Sequence, residues 1–90
     1  MRIDKFLKVS RLLKRRETAK RLAEEGGVYL NGKKAKPSSE VQNGDLLTLT
    51  LGRHVLEVEI LEIRPYAKKE QANAMYRLIK DTLTEVNEDA

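Results

Sequence analysis

Ninety residues without a single cysteine make one small domain, whose modest core has no disulfide to reinforce it. No run of about 18 apolar residues is present to span a bilayer, and the charged N-terminus lacks the apolar stretch of a signal peptide. The net charge of +4 hides a split, because residues 1–36 carry twelve Lys/Arg against four Asp/Glu and residues 37–90 carry six against ten.

An electropositive half of this kind draws anionic partners and speeds their encounter. A soluble, cytoplasmic, monomeric protein is the expectation. The absence of cysteine permits a reducing compartment without requiring one.

In chain order, Ile3, Phe6, Leu7 and Ser10 share one face at helical spacing, which predicts a short first helix. Lys5 and Lys8 project from its opposite side, with Arg2 and Arg11 flanking. A second helix is expected over 18–25, buried through Ala19, Leu22 and Ala23 and stopped by Gly26-Gly27. The period then changes. Val28-Tyr29-Leu30 reads as a strand, Asn31-Gly32 as a type I′ hairpin turn, and Lys33 to Lys36 as the returning strand.

Pro37-Ser38-Ser39 breaks that run, and Asn43-Gly44-Asp45 is a further turn. Leu46 to Leu51 is a strand, Gly52-Arg53 turns, and His54 to Ile63 is expected to be the longest strand. Leu56, Val58 and Ile60 alternate there with Glu57 and Glu59, and a bulge or strand end is expected at Leu61. From Lys68 to about Leu83, the residues Ala72, Met75, Tyr76, Ile79 and Leu83 recur at helical spacing and predict an amphipathic C-terminal helix. The result is an α+β chain of two helices packed on a small antiparallel sheet, followed by a last helix.

Catalytic and metal motifs are missing. His54 is the single histidine and is expected at the surface, so zinc chemistry is not expected. No phosphate-cradling glycine loop of the G-x-x-x-x-G-K-[ST] or G-x-G-x-x-G kind occurs. Each of Asp4, Glu17, Glu24 and Glu25 has a lysine or arginine at a nearby helical position, which is ordinary helix stabilisation. The chain reads as a binding module and not as an enzyme, with no cofactor and no membrane partner.

The basic residues are another matter. Lys5, Lys8, Arg11, Lys14, Arg15, Arg16 and Lys20 crowd the two helices with only Asp4 opposing them before Glu17. Arg16 and Lys20 lie one turn apart at the border of the Ala19/Ala23 stripe, where packing pins the stem and leaves the charge wet. Arginine's planar fork suits phosphate oxygens. Arg15 and Arg16 at a helix start break the local preference for acidic residues, and a local rule broken in this way often marks function.

With one Phe and three Tyr, stacking on single strands has little to work with; Tyr29 is the one plausible stacking residue, and burial is its expected role. Short basic helices suit the backbone and shape of structured RNA better than base edges in a major groove.

The run RIDKFLKVSRLLKRRETAKRLAEEGGVYLNGKKAKPSSEVQNGDLLTL resembles the S4, or alpha-L, RNA-binding domain. The resemblance is carried by Arg2-Ile3-Asp4-Lys5-Phe6-Leu7, Arg11-Leu12, Arg16 followed by Ala19, Gly27-Val28 ahead of Asn31-Gly32, Lys36-Pro37-Ser38 and Gly44-Asp45. It implies an L-shaped platform of two helices and a hairpin that grips bent or junctional RNA, with Arg2, Lys5, Arg11, Arg16 and Lys20 on phosphates. Lys8, Arg15 and the hairpin's Lys33 and Lys34 complete the expected RNA-binding set, and Asp4 is expected to orient a neighbouring arginine. Two positions depart from the family pattern: Arg15 where Ser or Thr is common, and Lys8 where Trp is common.

The resemblance covers about residues 2–50, and the chain is expected to divide into an S4-type domain over 1–64, a helical extension over 65–84 and a flexible acidic tail over 85–90. Size and the Lys68-Lys69-Glu70-Gln71-Ala72 stretch resemble most the stand-alone group called RqcP, related to ribosome-binding heat-shock proteins of the same domain type. That likeness implies a factor on the obstructed large ribosomal subunit. Such a factor touches rRNA and the P-site peptidyl-tRNA while a separate factor recruits alanyl-tRNA for tailing. Ribosome assembly, heat-stress subunit recycling and an accessory role beside an RNA-modifying enzyme stay open as alternatives.

Overall fold

The protein, in a computed structural model, is described over residues 1–83. The element order is α1 (Ile3–Val9), α2 (Arg16–Glu24), β1 (Val28–Leu30), β2 (Lys33–Lys34), β3 (Leu46–Leu51), β4 (His54–Ile60), α3 (Lys69–Asn73) and β5 (Tyr76–Leu83). All neighbouring strands are antiparallel, in the spatial order β2-β1-β3-β4-β5.

The apolar periodicities explain the packing. Ile3, Phe6 and Leu7 of α1 and Ala19 and Ala23 of α2 are buried, because small side chains at Ala19 and Ala23 let the helices come close. One continuous core joins them to Val28, Leu47, Leu49, Val58, Ile60 and Met75. Burying each large apolar side chain contributes about 1.5–3 kcal/mol, so this single core must carry the fold.

The turns obey the residues that form them. Asn31 and Gly32 both have positive φ, 52° and 84°, as a type I′ turn requires. This hairpin is also tied to the Gly44-Asp45 turn. The Asn31 side-chain amide donates to Asp45 Oδ1 at 3.1 Å, while the Leu46 N–H donates to Asn31 Oδ1 at 2.9 Å. Helix α2 ends in a Schellman motif, with Gly27 N–H donating to the Leu22 carbonyl and Gly26 N–H to that of Ala23.

The C-terminal segment differs from its sequence expectation. Among its described residues helix is confined to Lys69–Asn73, and Tyr76–Leu83 is a strand. Without it, β4 would present an open edge of unpaired N–H and C=O groups beside the core. The charges also fit the strand: Arg77 lies directly opposite Glu59 with a 2.6 Å ion pair, and Lys80 lies opposite Glu57. His54 meets Asp81 at 3.0 Å across the same strand pair, and both side chains are about half exposed.

Strand β4 ends at Ile60, short of Ile63 and as the strand end expected at Leu61 requires. The pairing slips where Lys80 opposes Glu57 and Leu78 opposes Val58, which leaves Ile79 of β5 as the extra residue. The eight-residue β5, not β4, is the longest strand. The acidic tail expected at 85–90 lies outside the described residues.

Candidate nucleic-acid interface

Arg2 caps α1, and its backbone is fixed before its side chain is considered. It bridges to Glu40, while the next two N–H groups, of Ile3 and Asp4, donate to the carbonyls of Ser39 and Pro37. The Lys36-Pro37-Ser38 stretch thus seats the start of α1. The turn is closed on itself, since the Lys36 N–H donates to Ser39 Oγ at 2.9 Å.

From this seat the buried Asp4 carboxylate, 3% exposed, reaches two arginines. Arg2 donates to Oδ2 at 3.2 Å, and Arg16 stands 3.4 Å from Oδ1. The Arg16 contact is an ion pair without hydrogen-bond alignment, because Oδ1 has no hydrogen-bond partner. Both arginine side chains remain about half exposed. One carboxylate therefore holds two guanidinium groups, one from each helix, with their free edges in water.

This clasp lines an open depression of about 390 Å³ together with Glu17 and Lys20. Three cations against two carboxylates, the buried Asp4 and the exposed Glu17, leave this lining net positive by one charge. Its planar donors match the two oxygens of a phosphate. Asp4, expected to orient a neighbouring arginine, accepts a hydrogen bond from Arg2 and stands in ion-pair reach of Arg16.

The other expected residues are dispersed. Lys8 and Arg11 line a different depression, of about 420 Å³, with Lys14 and Tyr66. Lys5 is half-buried on α1, and Arg15 is exposed at the N-cap of α2, where its side chain makes no capping hydrogen bond. Lys33 and Lys34 are exposed on the edge strand β2. Tyr29 is 39% exposed on β1.

Tyr66, which sequence reasoning passed over, is 72% exposed. The signal was present as an aromatic after Pro65, bracketed by Arg64 and Lys68 in a segment with no apolar periodicity.

A small helical pair docked on a twisted sheet, with paired arginines held on its surface, defines an S4-type module. The family model described as S4 domain matches residues 1–47. The chain is 48% identical over 81 residues to the RQC P-site tRNA stabilizing factor of Bacillus subtilis, covering 90% of this chain and 94% of that protein. Its counterpart in Listeria monocytogenes is 47% identical over 85 residues, covering 94% and 92%. Among solved structures, heat shock protein 15 of Vibrio cholerae, described as trimeric, superposes with a TM-score of 0.82 at 34% identity over 88% of this chain and 81% of that one. The chain belongs to the S4-domain family of RQC P-site tRNA stabilizing factors.

Proposed function

We propose that this chain is an RNA-binding factor of bacterial ribosome-associated quality control. It engages the obstructed large ribosomal subunit through rRNA and the P-site peptidyl-tRNA, and it steadies that tRNA while alanine is added to the stalled nascent chain. It does so by binding alone, with no reaction of its own. It works in the cytoplasm as a monomer, beside a separate factor that recruits alanyl-tRNA.

The observation that carries the reading is the Asp4 clasp, in which one buried carboxylate presents Arg2 and Arg16 side by side to solvent. Holding a tRNA in place demands contacts ordered before the ligand arrives, because each long side chain immobilised on binding costs about 0.5–1.5 kcal/mol. The names of the relatives point to the same ligand. Lys20 extends the clasp, and Lys5, Lys8, Arg11, Arg15, Lys33 and Lys34 complete the cationic platform.

The test is binding of the purified chain to large subunits with and without peptidyl-tRNA in the P site. Binding that requires the tRNA supports this reading. Equal binding to empty subunits overturns it in favour of assembly or heat-stress recycling. No binding to either would remove the ribosomal reading.

A further inference from the structure

Two depressions lie away from the Asp4 clasp and share three residues, Arg11, Tyr66 and Ala67. Tyr66, largely exposed, lines both. On one side the depression of about 420 Å³ is flanked by Lys8 and Lys14, and on the other a depression of about 610 Å³ is flanked by Arg64 and Lys68. Among the described residues no carboxylate lines either one. One cation is partly neutralised, since Arg64 pairs with Glu62 at 2.6 Å.

Arg11 brings an independent observation. Its φ is 64°, and its N–H donates to the Lys8 carbonyl just past the Ser10 C-cap. That is the C′ position at which helices turn left-handed, and glycine is the residue that adopts this conformation without strain. Arg11 lines both depressions, and strained non-glycine residues cluster at ligand clamps.

We propose that Tyr66 is a stacking platform for one unpaired RNA base, with Arg11, Lys8 and Lys14 gripping the adjoining phosphates. An aromatic face stacks on any base, and neighbouring cations supply the backbone charge match. Pro65 restricts the backbone leading into Tyr66, which lowers the cost of ordering the ring. Arg2 and Arg11 flank opposite ends of α1, whose seven residues span roughly 10 Å at ~1.5 Å per residue. A folded RNA held by the Asp4 clasp can therefore extend a single-stranded nucleotide to Tyr66. The site needs only an RNA ligand and does not depend on the ribosomal reading.

The experiment titrates the full chain with a labelled single-stranded tetraribonucleotide, following fluorescence anisotropy, beside Tyr66→Phe, Tyr66→Ala and Lys14→Ala. Thermal melts of the same variants check folding, which exposed positions such as these should preserve. Tyr66→Phe should bind within about twofold of wild type, and Tyr66→Ala roughly 5- to 150-fold more weakly, the range of one base–aromatic stack. Tyr66→Ala should keep the salt dependence, whereas Lys14→Ala should lower its slope by roughly 0.7.

Unchanged affinity in folded Tyr66→Ala would overturn the proposal. So would equal competition by inorganic polyphosphate, which carries charge without bases. No ribosome enters this assay, so its failure and the failure of the tRNA-holding reading are separate results.

Discussion

Asp4→Asn separates orientation from charge, because the two effects move affinity in opposite directions. The substitution keeps the shape of a side chain that is 3% exposed and removes the anion that faces Arg2 and Arg16. Charge alone predicts tighter RNA binding. A carboxylate ~7 Å from a phosphate repels it by roughly 0.6 kcal/mol in water, about threefold in Kd. Orientation predicts the reverse.

Two released arginines must each be re-ordered on the ligand, at about 0.5–1.5 kcal/mol apiece. Net of the relieved repulsion, this leaves a loss of roughly 0.4–2.4 kcal/mol, or about 2- to 50-fold. Both cations persist, so the salt slope should stay at the wild-type value. Stability should fall by about 1–2 kcal/mol, since one charge-assisted hydrogen bond is lost while the half-exposed arginines regain water. The assay is anisotropy with a labelled tRNA over a salt series, with a urea melt as control. Folded Asp4→Asn that binds as tightly as wild type, or more tightly, would refute the clasp.

Arg11→Gly should leave stability unchanged or raise it by up to about 1 kcal/mol, because relief of left-handed strain outweighs the entropy of an added glycine; a urea melt showing a loss beyond that would mean the side chain holds the fold. Gly27→Ala should cost about 1–3 kcal/mol by overpacking, since a Cβ there would stand 2.5 Å from Leu22 Cδ1. A melt matching wild type would show that Leu22 yields freely. Arg77→Ala should cost under about 1 kcal/mol, as expected of an exposed ion pair, and chemical shifts should keep Tyr76–Leu83 extended; helical shifts there would contradict the five-stranded sheet.

Much of this architecture is legible in the chain because local and global preferences agree. Ile3, Phe6 and Leu7 repeat at helical spacing and are buried, Asn31-Gly32 turns where its φ preferences require, and Leu47 and Leu49 alternate into the core. The C-terminal strand is the informative exception. Ala72, Met75, Tyr76 and Ile79 lie at helical intervals, yet Ala72 and Met75 belong to the short α3 and the turn after it, while Tyr76 and Ile79 belong to β5.

A period cannot register that β4 needs a partner, which is a demand of tertiary structure. Opposed charges such as Arg77 and Glu59 signal pairing only once the register is known. The candidate site divides in the same way. The density of basic residues and the role of Asp4 are visible in sequence. The convergence of Arg2 and Arg16 from two helices, and of Arg11 with Tyr66 from segments more than fifty residues apart, arises only on folding.

The central claim is that the clasped arginines grip RNA phosphate. The most direct measurement is the salt dependence of binding to large subunits carrying peptidyl-tRNA, for wild type and Arg16→Ala. Removing one phosphate contact should weaken binding and lower the slope of log K against log salt by roughly 0.7–0.9, with the melt little changed. A folded Arg16→Ala with the wild-type slope and affinity would contradict the account.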